Sequence, residues 1–235
     1  ESDPAWQMYK DKDWPKNARV VAAMDTMIDR NVGELLDLLK ELDIDRRTIV
    51  FFCSDNGAAN RFEGILDSSG PLQGAKRSMY EGGIRVPLIA RWPGRTRPRT
   101  ESDHICYFAD LMPTLSELAG ALQYMPANVD GLSIVPTLTG NASRQKKHEF
   151  LYWEWHRYNW GKRQDVQHGL MQAVRMGTWK AVRHQSDKPF ELYDLSKDIG
   201  EKNNLADKHP DIVAKIEAYI RRDRSCQPSP PVKVP

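Results

Sequence analysis

A long amphipathic helix running into a short apolar strand constrains this chain more than any other feature. From Asn17 to Leu42, Val20, Val21, Met24, Ile28, Val32, Leu35, Leu36, Leu39 and Leu42 recur at helical spacing. Lys16, Arg19, Asp29, Arg30, Glu34, Asp37 and Lys40 fall mainly elsewhere, and Asp43 and Asp45 mark the turn out. Thr48 to Cys53 is then a β-rich apolar run, the pattern of a strand covered on both faces. Helix followed by buried strand is one step of a layered α/β fold.

Residues 57–83 carry many glycines and polar residues and little periodicity, which predicts a long loop, of the kind that is usually functional or disordered. Val86 to Trp92 is a second strand, with Pro87 at its start or edge. Cys106 to Leu122 is a second helix in which Pro113 marks a break or a true start. The character changes near residue 148. Phe150–Trp155, Leu170–Arg175, Trp179–Arg183 and Phe190–Tyr193 are short strand patterns, separated by turns at Gly161, Gly177 and Ser186-Asp187-Lys188. They predict a small antiparallel sheet, followed by a terminal helix over Pro210–Arg222 and a proline-rich tail from Ser225. The expected division is therefore an α/β part over residues 1–147 and a small α+β subdomain over 148–235.

The bulk numbers exclude some classes. With 34 basic and 32 acidic residues among 235, the formal charge is +2. Nucleic-acid binding needs clustered excess Lys and Arg, so it is not expected. No apolar run approaches the roughly 20 residues needed to cross a bilayer. Cys53, Cys106 and Cys226 are odd in number and widely spaced, which fits neither a disulfide framework nor a zinc site. Cys53 and Cys106 read as small buried residues.

Two places could carry chemistry. Asp55 and Asn56 directly follow the predicted strand at 48–53, and open α/β sheets bind ligands beyond the carboxyl ends of their strands. A carboxylate and an amide oxygen suit a hard cation. The same residues also spell an ordinary Asp-Asn-Gly turn, and taken alone they favour it. Lys76 lies among Gly74, Ser78, Gly82 and Gly83. Glycines admit close approach to an anion, and an ammonium there would offset charge on a transferring sulfuryl or phosphoryl group. Taken alone, Lys76 favours the reading of a solvated loop lysine.

The pattern Ser54-Asp55-Asn56-Gly57, followed by Gly70-Pro71-Leu72-x-Gly74-x-Lys76-x-Ser78-x-Tyr80-Glu81-Gly82-Gly83-Ile84-Arg85-Val86-Pro87, resembles the type I sulfatases of the alkaline phosphatase superfamily. The resemblance continues in order through Arg91-Trp92-Pro93-Gly94, Asp110-Leu111-Met112-Pro113-Thr114-Leu115 and Asp130-Gly131-Leu132-Ser133. It resumes at Ala173-Val174-Arg175-x-Gly177-x-Trp179-Lys180 and ends with Glu191-Leu192-Tyr193-Asp194-Leu195 and Glu201-x-Asn203-Asn204-Leu205-Ala206. It implies a sulfatase acting on sulfate esters, with Asp55 and Asn56 as calcium ligands and Lys76 contacting the ester. Residues 1–147 would be the C-terminal part of the catalytic domain, and the following subdomain would edge the substrate pocket.

The resemblance also implies parts that residues 1–235 lack. The family's nucleophile is a formylglycine, made from the cysteine of an upstream Cys-x-Pro/Ala-x-Arg motif. A further acidic metal pair and more sulfate-binding side chains are upstream too. Calcium wants about six to eight oxygens, so the missing N-terminal half is expected to complete the shell. This chain alone is expected to have no turnover. Cys226-Gln227-Pro228 is a near miss of the nucleophile motif and is read as coincidence. The family is commonly exported, periplasmic or lysosomal.

Tyr152-Trp153-Glu154-Trp155-His156 points to substrate. Tryptophans with an acid and a histidine could line a sugar site, with Glu154 or His156 on a hydroxyl. The same run equally reads as aromatic packing. The other histidines, among them His104, His148 and His184, are expected on surfaces or in turns. Two rivals remain: a phosphodiesterase or phosphonate monoester hydrolase of the same superfamily, and a non-catalytic scaffold or binding module.

Overall fold

The computed structural model describes residues 2–159 and 161–225. The fold is mixed α/β and divides into two compact units. The first comprises Glu1–Asp55, Ala59–Ser68 and Val86–His148, and the second comprises Asn56–Ala58, Ser69–Arg85 and Glu149–Pro235. The Cys226 near miss lies outside the described residues.

The first unit is built on helix α1, Lys16–Glu41. Ahead of it, Asp3 accepts the Ala5 amide at 2.8 Å and pairs with Arg30 on α1 at 3.1 and 2.7 Å. That guanidinium and the Ala5 amide hold the Asp3 carboxyl down at about 2. Ala18, Ala22 and Ala23 form the buried stripe of α1. The larger apolar stripe does not pack as the helical spacing predicts. Met24, Ile28, Leu35, Leu38 and Leu42 are exposed, Leu35 by 61%. Strand β1, Val50–Cys53, is similarly open. It pairs antiparallel with β2, Leu88–Arg91, in register Val50↔Arg91 to Cys53↔Leu88, and with no other described strand. Phe52 and Ile89 are exposed by 40% and 58%, so among the described residues β1 is not covered on both faces. Arg91 forks onto Asp45 at 2.6 and 3.1 Å, which ties β2 to the turn after α1.

Between the strands lies the predicted loop, interrupted by the single-turn helix α2, Glu81–Ile84. Helix α3, Leu111–Leu118, starts later than expected, with Pro113 in its first turn, where the missing N–H costs nothing. The short helix α4, Val135–Leu138, follows. Asp110, only 1% exposed, organises this corner. Its carboxylate accepts the Leu132 and Tyr107 amides at 2.7 and 3.0 Å and meets His148 Nε2 at 2.8 Å. His148 is thus a partner of a buried acid rather than a surface residue. Cys53 and Cys106 are free and only partly buried, a correction to their reading as core residues.

The second unit contains the four strands anticipated from residue 150 onward. They are β3, Leu151–Asn159; β4, Gln164–Met176; β5, Trp179–Arg183; and β6, Glu191–Asp194. They form an antiparallel meander in chain order. Period-two alternation gives the sheet two apolar faces. On one face Val174, Ala181 and Leu192 pack with Phe190, and with Ile216 and Ile220 of helix α5, Pro210–Ser225. Burying each of those two isoleucines contributes roughly 1.5–3 kcal/mol. On the other face Met171, Ala173 and Val182, with Trp153, receive Met79, Tyr80 and Ile84. The second half of the long loop is therefore part of this sheet's packing.

Candidate functional site

Asp55 sits at an exposed bend two residues beyond β1, and Asn56 beside it is half-buried. The main chain after Asn56 is held tightly. The Gly57 amide donates to the Gly83 carbonyl at 2.9 Å, and the Lys76 amide donates to the Ala58 carbonyl at 2.8 Å. Gly57 leaves no room for a side chain, because an added Cβ would lie 1.9 Å from the Gly82 carbonyl oxygen. So Asn56–Ala58 is fastened to both ends of the segment that bears Lys76.

Lys76 itself is exposed, in a tight turn with Arg77 at φ 75°. The turn folds down onto Gly82 and Gly83. A Cβ on Gly82 would stand 2.5 Å from the Gln73 and Gly74 carbonyl oxygens, and one on Gly83 would stand 2.1 Å from that of Ser78. The Glu-Gly-Gly sequence thus exists to let two backbones touch. Gln73, oriented so that both ends of its amide are satisfied, donates to the Gly200 and Glu201 carbonyls at 2.9 and 2.7 Å.

Glu154 and His156 lie on β3, both exposed. Alternation places them with Tyr152, on the α5 face of the sheet, whereas Trp153 is on the face that receives Tyr80. Tyr152 donates to Glu154 at 2.5 Å, Gln172 donates to Tyr152 at 2.5 Å, and Arg183 Nε donates to Gln172 at 2.9 Å. Glu154 is therefore the outer end of a polar ladder across three strands. His156 faces Asp165 at 3.3 Å. The segment carrying Lys76 packs on the Trp153 face, so Lys76 and this acid–histidine pair are on opposite sides of the sheet.

As possible metal ligands, Asp55 and Asn56 offer one carboxylate and one amide oxygen, donors of the hard type that calcium takes. Two oxygens fall well short of a full shell, and no group of three or more His, Cys, Asp or Glu side chains able to hold a metal occurs among the described residues. The pair fits calcium as part of a larger ligand set.

Sequence reasoning missed the groups that fasten this segment. Tyr80 donates to Glu191 Oε2 at 2.6 Å, Tyr193 donates to the same oxygen at 2.9 Å, and His184 Nε2 lies 3.0 Å from the Tyr80 hydroxyl. Burial, together with the Glu191 carboxylate, pushes the Tyr80 phenol up to about 12 and raises that of Tyr193 as well. Next to Tyr80, Glu81 meets the fully buried Lys180 at 2.7 Å and Arg175 at 3.3 Å. Arg85 also reaches Glu81, at 3.8 Å. Lys180 is a charge inside the apolar run Trp179–Val182, and alternation turns it inward beside Val182.

Known proteins share this arrangement of elements. The family model described as N-sulphoglucosamine sulphohydrolase, C-terminal, matches residues 74–225, more than half of the chain, and the Sulfatase model matches residues 5–121. Steryl-sulfatase of Mus musculus is 30% identical over 86% of this chain and 37% of its own length. A sulfatase of Formosa agariphila is 32% identical over 85% of this chain and 38% of its own. The solved structure of Ps i-CgsB in complex with k-i-k-neocarrahexaose is 26% identical, with a TM-score of 0.77, over 94% of this chain and 46% of that one. The chain thus spans less than half the length of these proteins. With one family model running from the Lys76 turn through the four-stranded sheet to α5, the chain belongs to the type I sulfatase family.

Proposed function

We propose that the full-length protein containing this chain hydrolyses sulfate esters, and that its substrate is a sulfated sugar. One observation carries the reading. The Asn56–Ala58 segment and the Lys76 segment are joined by main-chain hydrogen bonds at both ends, 2.8 Å at Lys76 and 2.9 Å at Gly83. A candidate metal ligand and a candidate sulfate-binding cation are thereby held on one rigid piece of backbone. The sugar assignment is supported by the glucosamine sulphohydrolase family model and by the oligosaccharide complex of Ps i-CgsB.

In this reading Asp55 and Asn56 hold calcium, with the rest of the shell supplied from outside residues 1–235. Calcium there would offset negative charge on the ester oxygens. The Lys76 ammonium acts on the same developing charge, carried on a main chain that is hydrogen-bonded to Ala58. The nucleophile, a formylglycine, is also placed outside this chain. Glu154 and His156 are proposed to bind substrate hydroxyls on a part of the sugar distant from the ester.

The exposed apolar stripe of α1 and the open faces of β1 and β2 favour this reading over a free-standing binding module. Apolar stripes of this length ordinarily mark a contact surface. We propose that the remainder of the same protein covers them. The test is sulfate release by the full-length protein from a sulfated monosaccharide, with and without a calcium chelator. Release that the chelator abolishes supports the reading, and release of phosphate from a phosphodiester in its place would overturn it.

A further inference from the structure

We propose that the buried Glu81–Lys180–Glu201 cluster is a positioning device for the Lys76 turn and for Asn56–Gly57. The proposal rests on the sulfatase reading for what those residues do, but not for how they are held. Lys180, on β5, is completely buried and lies 2.7 Å from Glu81 and 3.6 Å from Glu201. Glu201 is also fully buried, and its other oxygen accepts the Glu81 backbone amide at 2.7 Å. So one residue of α2 is gripped twice, through its side chain by Lys180 and through its main chain by Glu201. Arg175 adds a second cation on Glu81.

Two features argue that this grip does more than fill space. Burying charges is expensive, and an apolar trio would pack the sheet as well or better. Glu201 moreover holds a left-handed backbone, φ 51°, which non-glycine residues adopt uncommonly. That backbone is what brings its carboxylate under the Glu81 amide and its carbonyl to Gln73.

The grip reaches the candidate site by short steps. The Gly82 amide, next to Glu81, donates to the Gln73 carbonyl at 2.7 Å, at the entry to the Lys76 turn. Gly83 accepts from Gly57, and the Lys76 amide closes the loop on Ala58. Loosening Glu81 would therefore release Lys76 and Asn56–Gly57 together, and leave the α5 face of the sheet in place.

The test uses the full-length protein with Lys180→Met, and with Glu201→Gln as the milder variant should the first fail to fold. Hydrogen–deuterium exchange is followed over residues 56–58 and 73–84, and over β4–β6 and α5. The proposal expects exchange at 73–84 to rise by roughly a hundredfold in Lys180→Met, in keeping with loss of one partner from a buried ion cluster. Glu201→Gln should raise it less, in the same peptides. Protection of α5 should be retained, and kcat for an aryl sulfate should fall with KM little changed. A uniform rise across β4–β6 and α5, or no change at 73–84, would overturn it. If the wild-type protein releases no sulfate, the sulfatase reading fails while the exchange pattern still decides this proposal.

Discussion

The Gly57 amide donates to the Gly83 carbonyl at 2.9 Å, with no space between the two strands of backbone for even a methyl group. Gly57→Ala must push Asn56 away from the Lys76 segment or push Gly82 out of α2. Overpacking of this kind costs typically about 1–3 kcal/mol. The expected result is a lower unfolding midpoint in denaturant and, with Asn56 holding calcium as proposed, weaker calcium binding by the full-length protein. Unchanged calcium affinity would show that Asn56 is not placed by this contact.

The buried carboxyl of Glu201 sets a pH dependence. Burial raises it above its ordinary value, despite the opposing pull of Lys180. A carboxyl raised in the folded state binds more protons there than when unfolded. Its contribution is therefore fully present below its unfolded value and is lost as pH rises through its folded value. Stability measured by denaturant from pH 4 upward should show that loss in the wild type, and Glu201→Gln should flatten it.

Tyr80 supplies a spectroscopic handle. Its phenol is pushed up to about 12 by burial and by Glu191, so it should not ionise until well above the ordinary tyrosine range. Alkaline difference absorbance should lose a late-titrating component in Tyr80→Phe. Removing a hydrogen bond to a charged acceptor costs about 1.5–3 kcal/mol, and less for a half-exposed pair. A shift of roughly 1 kcal/mol in denaturant is expected.

The exposed stripe of α1 predicts the behaviour of residues 1–235 made alone. With Leu35, Leu38 and Leu42 open to water, the piece should self-associate, and Leu35→Glu with Leu38→Glu should reduce the particle size seen by light scattering. It should release no sulfate from an aryl sulfate. Measurable turnover by the piece alone would contradict the placement of the nucleophile outside it.

Much of this fold was legible because its signals are local. The Asn17–Leu42 periodicity gives α1, observed at Lys16–Glu41, and Trp179–Arg183 is β5 to the residue. Short strand patterns separated by turn residues were enough to foresee the antiparallel meander. What could not be read is what covers each face. The apolar pattern of α1 and β1 specifies a buried surface but does not say which part of the chain supplies the other side. The long loop looked like one segment, yet its second half belongs to the β3–β6 sheet through Tyr80 and Glu81. Those contacts join residues about a hundred positions apart, such as Glu81 and Lys180, and no local pattern encodes them. Glu154 and His156 stand out by residue type, but alternation puts them across the sheet from the Lys76 segment.

Lys76 tests the account most directly. In the full-length protein, Lys76→Ala removes one exposed side chain and leaves its backbone hydrogen bond to Ala58 in place, so folding and calcium binding should persist. If Lys76 stabilises charge on the ester, kcat for sulfate release should fall by about a hundred- to a thousandfold, the usual cost of losing one such group. A Lys76→Ala protein that releases sulfate at the wild-type rate would contradict the site proposed for this chain.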